Sequence, residues 1–222
     1  MKTPRVFGIG FHKAGTSSLG VALEILGYRV CSVIEERNRK DLPARLQEIA
    51  WDYIDNGGFD AFQDNPWPIL YREIDERYPG SKFVLTSRPT HKWLASQVRH
   101  FGKSKTVMRE IIYGVGCPEG NEEIYAERFD RHNAEVRAYF ADRPQDMVEI
   151  ELGDPDSWER LCGLLGVPVP DLPWPHANPA AERERKGSGL FGVWNRMSLR
   201  LMRLKRRIFQ RRSRFPRKPP VS

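Results

Sequence analysis

Residues 7–20 read FGIGFHKAGTSSLG. The apolar run 6–10 reads as a buried strand. Residues 17–26 then carry Leu19, Ala22, Leu23 and Leu26 on one helical face, and Gly27 ends the segment. A strand, a glycine-containing turn and a helix in this order aim several backbone N–H groups at one spot, with a lysine alongside. A phosphate group needs that arrangement. The position of the lysine excludes two common loops of this kind. A GxxxxGK[ST] loop places its lysine after the second glycine, whereas Lys13 precedes Gly15, and a GxGxxG loop needs glycine where Lys13 stands.

Working outward, the chain continues to alternate. Residues 28–34 read as a second strand, 43–54 as a helix closed by Asn56-Gly57-Gly58, and 59–63 as a short strand. Residues 67–78 read as a helix entered through Pro66 and Pro68 and ended by Pro79-Gly80. KFVLTS, residues 82–87, is the clearest strand and leads into a helix over 91–101. Residues 114–120 read as a loop and 122–140 as a long amphipathic helix. A last strand is expected at 147–152, with a last helix at 154–165 that Asp154 or Asp156 would cap. This pattern predicts an α/β fold: a parallel sheet of four to five strands with helices on both faces, of the phosphate-loop nucleotide-binding type.

The 222 residues suffice for one such domain and an appendage. The formal charge of +7 averages two unlike pieces: from Arg185 onward there are thirteen Arg and Lys and no Asp or Glu, whereas the preceding residues hold 23 basic and 29 acidic side chains. The expected division is residues 1–180 as the α/β domain and 181–222 as a basic tail, after a segment, 168–179, with five prolines. In the tail, Leu190, Trp194, Met197, Leu201, Leu204 and Ile208 recur at steps of three and four, with Arg196, Arg200, Arg203 and Arg207 on another face. This predicts a C-terminal basic amphipathic helix, flexible beyond its end, that can lie on an anionic membrane surface. No specific nucleic-acid module is recognisable. Cys31, Cys117 and Cys162 form no CxxC pair and lie near no His at metal-ligand spacing, so neither a disulfide framework nor a metal site is expected. With no signal-peptide pattern and no apolar run near 18 residues, the expectation is a cytoplasmic chain, peripheral to the membrane through its tail.

Lys13-Ala14-Gly15-Thr16-Ser17-Ser18 resembles the KxGT[ST] loop of sulfotransferases. A second match follows about 75 residues later: Phe83-Val84-Leu85-Thr86-Ser87-Arg88, with Ser96 eight residues on. The likeness runs from about Arg5 to Asn178 and points to the compact sulfotransferase family. It implies 3′-phosphoadenosine 5′-phosphosulfate as co-substrate and no metal. Ala14, Gly15, Thr16, Ser17 and Ser18 would hold its 5′-phosphosulfate, and Arg88 and Ser96 its 3′-phosphate. Lys13 would stabilise charge on the bridging oxygen as it leaves. Leu19 stands where many members have a Trp near the adenine, so base stacking is unassigned. Arg185-Lys186-Gly187 is similar to a segment with which some members close over the 3′-phosphate.

Sulfuryl transfer to a hydroxyl or amine needs a base. Asp64 follows a short strand, 24 residues before Arg88, near where the family keeps a catalytic His or carboxylate. The competing role for Asp64, followed by Asn65-Pro66, is to cap the helix that begins at Trp67. His12 is the weaker candidate for the base. Trp67, Tyr71 and His100 are candidates for an acceptor pocket or for the core, and the acceptor itself, a small molecule, carbohydrate or lipid, is not encoded in any motif. The alternatives are a small-molecule kinase built on the same strand, loop and helix, and a non-catalytic nucleotide-binding scaffold anchored by the tail.

Overall fold

The computed structural model of the protein describes residues 4–176. Thirteen short elements alternate along these residues. Strand β1 (Val6–Gly8) is followed by α1 (Thr16–Ile25), β2 (Val30–Cys31), α2 (Leu42–Asn56) and β3 (Ala61–Phe62). A 3-10 turn (Trp67–Ile69), α3 (Tyr71–Arg77), β4 (Lys82–Ser87), α4 (Thr90–Phe101), α5 (Val107–Tyr113), α6 (Glu122–Tyr139), β5 (Met147–Glu151) and α7 (Ser157–Leu165) complete it. The five strands form one parallel sheet in the order β2-β3-β1-β4-β5.

Alternation along the strands divides the core between the two faces of the sheet. Phe7, Phe62, Phe83 and Leu85 point to one face, where they meet Ile49 of α2, Trp93 of α4 and Phe129 and Val136 of α6. Parallel register puts Phe7 beside both Phe62 and Phe83, and the rings stack at centroid distances of 4.9 and 5.8 Å. Val6, Ala61, Val84 and Ile150 point to the other face, against Leu19 and Leu23 of α1 and Trp158 and Leu161 of α7. The expected sheet covered on both faces is therefore present.

The differences from the sequence reading have local causes. The second strand is only Val30–Cys31, because β2 is an edge strand paired solely with the equally short β3. The expected helix 67–78 is two pieces: Pro68 sits in the first turn, and Leu70 (φ −115°, ψ 11°) lies outside the helical region. Helix α5 falls in a stretch that the sequence left unassigned. The last helix begins at Ser157 rather than Asp154, whose carboxylate instead accepts the N–H of Asp156 (2.9 Å) and pairs with Arg160 (2.7 Å). The expected tail helix and Arg185-Lys186-Gly187 lie outside the described residues. Among the described residues, no helix is long and apolar enough to cross a membrane, and no three His, Cys, Asp or Glu side chains gather as metal ligands.

Candidate active site

The loop from β1 to α1 leaves the sheet between β3 and β4, at the strand C-termini where the connections part to opposite sides, the usual ligand crevice of such sheets. Glycine is required at two points. Gly10 lies flat against Thr86 of β4, where a Cβ would overlap the Thr86 backbone. Gly15, at the N-cap of α1, has φ 105°.

Buried side chains fix the rest of the loop. Ile9 N–H donates to Val84 O (2.9 Å), and His132 Nε2 lies 2.7 Å from Ile9 O. The His12 carbonyl accepts from both Trp93 Nε1 (3.0 Å) and Gln97 Nε2 (2.9 Å) of α4, and its ring Nδ1 lies 2.9 Å from Asn65 Nδ2. Arg88 Nη1 donates to Lys13 O (3.2 Å). Ser96 lies with Trp93 and Gln97 on the buried face of α4, the face turned to the loop. Thr16 and Ser18 are buried and Ser17 is exposed. Among the described residues, the N–H groups of Lys13, Gly15, Thr16 and Ser17 donate to no protein acceptor. They are the orphan donors of a helix start, available to an anion.

Lys13 and Asp64 share an unusual backbone conformation: both have φ 70°, the two non-glycine residues with positive φ among those described. Each such residue costs on the order of 1–3 kcal/mol, so the surrounding bonds must hold them there. Each lies in the electrostatic field of the other. Burial lowers the Lys13 pKa, Asp64 raises it again, and Arg99 and Arg88 lower it. Burial raises the Asp64 carboxyl above the ordinary range, opposed by the Asn65 N–H, Lys13 and Arg37. Asp64 Oδ1 accepts that Asn65 N–H (2.8 Å), and the following turn has Pro66 in its N-cap position with no side-chain cap, so Asp64 does not cap it.

His12 is 5% exposed, and burial, with help from Arg109, lowers its pKa to about 3. A neutral imidazole so reluctant to take a proton is a poor base. Its ring packs edge-on against Phe101 and Tyr113. Trp67 and Tyr71 are core residues: Trp67 is fully buried with its N–H on Ser32 O (3.3 Å), and Tyr71 packs on His132 and Tyr139. His100 is exposed and stands edge-on to Phe101. Leu19 is likewise buried, beneath Gly8, and is not a surface for a base. Two residues absent from the sequence reading join the site, Arg99 beside Lys13 and Arg88, and Arg37 beside Asp64. Arg99 was legible as the residue one helical turn after Ser96. Arg37 had no comparable signal.

A glycine-containing loop at the carboxyl ends of a parallel sheet, with its lysine ahead of the glycine and a strand-end arginine on its backbone, belongs to a class of group-transfer proteins. Residues 5–183 match the family described as Sulfotransferase domain, and the chain belongs to that family, whose chemistry is sulfuryl transfer. The chain is also similar to Ava biosynthesis cluster protein M of Aspergillus versicolor, with 24% identity over 211 residues, covering 78% of this chain and 80% of that protein.

Proposed function

We propose that this protein transfers the sulfuryl group of 3′-phosphoadenosine 5′-phosphosulfate to a hydroxyl or amine of an acceptor, with Lys13 and Asp64 as its catalytic residues. The observation that carries this reading is the meeting of four unpartnered N–H groups and the Lys13 ammonium on one loop with the half-buried Asp64 carboxyl of another. The acceptor oxygen or nitrogen attacks sulfur in line, its proton passes to Asp64, and the bond between sulfur and the bridging oxygen breaks. Lys13 stabilises the charge that collects on the bridging oxygen, and the products are a sulfate ester, or a sulfamate from an amine, and adenosine 3′,5′-bisphosphate. A carboxyl whose pKa burial raises is a stronger base than an exposed one, which suits proton abstraction near neutral pH. Ala14 to Ser18 hold the 5′-phosphate, and Arg88 and Ser96 hold the 3′-phosphate.

Thermal shift with adenosine 3′,5′-bisphosphate, set beside ATP with magnesium, tests the donor. Stabilisation by the bisphosphate, weakened in Lys13→Ala and Arg88→Ala, is the expected result, and stabilisation by ATP with magnesium alone refutes it. Asp64→Asn should bind the bisphosphate normally yet lose about 100- to 10,000-fold in transfer rate. For the acceptor we propose a lipid or glycolipid hydroxyl reached from an anionic membrane surface, on the strength of the basic, amphipathic sequence from Leu190 to Ile208. Flotation of the full chain with anionic liposomes, against a chain ending at Asn178, tests the attachment, and equal flotation of the two removes it.

A further inference from the structure

Several arginines on this surface have close carboxylate partners: Arg39, Arg45, Arg137 and Arg143 each close on one at 2.5–2.7 Å. The region of the donor loop departs from that pattern. Among the described residues Lys13, Arg88 and Arg99 make no ion pair within 4 Å. They stand close enough to destabilise one another, since Arg99 disfavours the charged forms of both Lys13 and Arg88. The buried Nε of Arg88 also has no partner. Three like charges gathered with no carboxylate in ion-pair contact, Asp64 acting on Lys13 alone, form a site suited to an anion.

The geometry points to Arg99 as a third cationic ligand of the donor nucleotide, bearing on both its phosphosulfate and its 3′-phosphate. This assignment rests on the sulfotransferase reading above. Arg99 occupies the last turn of α4, one turn beyond Ser96, on a helix bound to the loop by Trp93 and Gln97 through the His12 carbonyl. It is the charge common to the surroundings of Lys13, at the phosphosulfate end, and of Arg88, at the 3′-phosphate end. It is not among the groups acting on Asp64, where Lys13 and Arg37 are the cations. Arg99 follows Ser96 by three residues on α4, the helix whose Trp93 and Gln97 hold the loop, so it stands beside the residue assigned to the 3′-phosphate. The donor's phosphate and sulfate groups carry about four negative charges near neutral pH, more than Lys13 and Arg88 offset. A guanidinium on an exposed turn can present two parallel N–H groups to a phosphate without a desolvation penalty in the free protein.

Isothermal titration of the full chain with adenosine 3′,5′-bisphosphate, adenosine 3′-phosphate and adenosine 5′-phosphate tests the assignment. Arg99→Gln should weaken the bisphosphate by at least about tenfold and weaken both monophosphates, with Arg99→Lys intermediate. Lys103→Gln is the control for general charge loss: Lys103 is exposed and 3.7 Å from Glu119, and its removal should change affinity by less than about twofold. Bisphosphate affinity within twofold of wild type in Arg99→Gln overturns the proposal, as does an equal loss in Lys103→Gln. If the wild-type chain does not bind the bisphosphate at all, the sulfotransferase reading fails first, an outcome distinct from either of these.

Discussion

Replacing Gly10 by alanine inserts a methyl group between the donor loop and β4. A Cβ at this position would lie 2.7 Å from Thr86 N, and closer still to the Thr86 carbonyl and hydroxyl oxygens, where ordinary contact begins at 3.4 Å. Two of these three atoms are backbone, so no rotamer change relieves the overlap and the loop must lift from the strand by roughly 1 Å. That shift reaches the Ile9–Val84 bond, the His132 contact on Ile9 O and the two donors on the His12 carbonyl. Overpacking of this kind costs roughly 1–3 kcal/mol, a Tm loss of about 3–10 °C for a domain of this size. Because Lys13 and Gly15 move with the loop, bisphosphate affinity should fall by about tenfold or more. Gly163 in α7 is the matched control: a Cβ there meets nothing within 4 Å, and the helical position should gain about 0.5–1 kcal/mol from alanine. Scanning fluorimetry with and without the bisphosphate reads both variants. A Gly10→Ala protein with wild-type Tm and affinity would refute the reasoning.

Two predictions concern pH. Burial, partly offset by the bond to Ile9 O, lowers the His132 pKa to about 4. An unfolded imidazole titrates near 6.5, so the stability that depends on the neutral ring is present above that value and is lost as pH falls toward 4, by on the order of 3 kcal/mol at pH 4. Urea melts at pH 7, 5.5 and 4 should show a shallower dependence in His132→Asn than in wild type, and identical slopes would contradict the assignment. For the proposed base, Arg37 opposes the effect of burial on Asp64, so Arg37→Gln should move the Asp64 titration upward in pH. The carboxyl 13C shift follows this directly, and an unmoved titration would show that the two groups are not coupled.

How much of this was readable in the sequence depended on element length and on whether partners are near in sequence. KFVLTS was located to the residue because β4 is central, buried and six residues long. The strands that contributed two residues each were overestimated, since an apolar run does not reveal where its neighbour stops pairing. Helix α5 was missed although its caps are visible in hindsight: Thr106 Oγ1 accepts Arg109 N–H (3.2 Å), and Gly114 follows at φ 76°. VMREIIY carries apolar residues on too many faces to show a helical stripe in seven positions. At the site, the order of Lys13, Gly15, Arg88 and Ser96 was legible because the loop and β4 are each continuous segments. The positive φ of Lys13 and Asp64 was not, nor was the approach of Arg37, because these depend on the loops after β1, β2 and β3 meeting in space.

The double acceptance at the His12 carbonyl has an architectural consequence. Through Trp93 and Gln97 the donor loop and α4 form a single clamped unit, and Arg88, Ser96 and Arg99 belong to it. The 102–121 stretch containing α5 packs on this unit through Tyr113, whose ring stands edge-on to His12, and it touches the 32–40 connection after β2 at Met108 N–H and Arg37 O (3.1 Å). The loop and α4 are thus coupled in position, and a substitution that moves that helix also moves the backbone that carries Lys13.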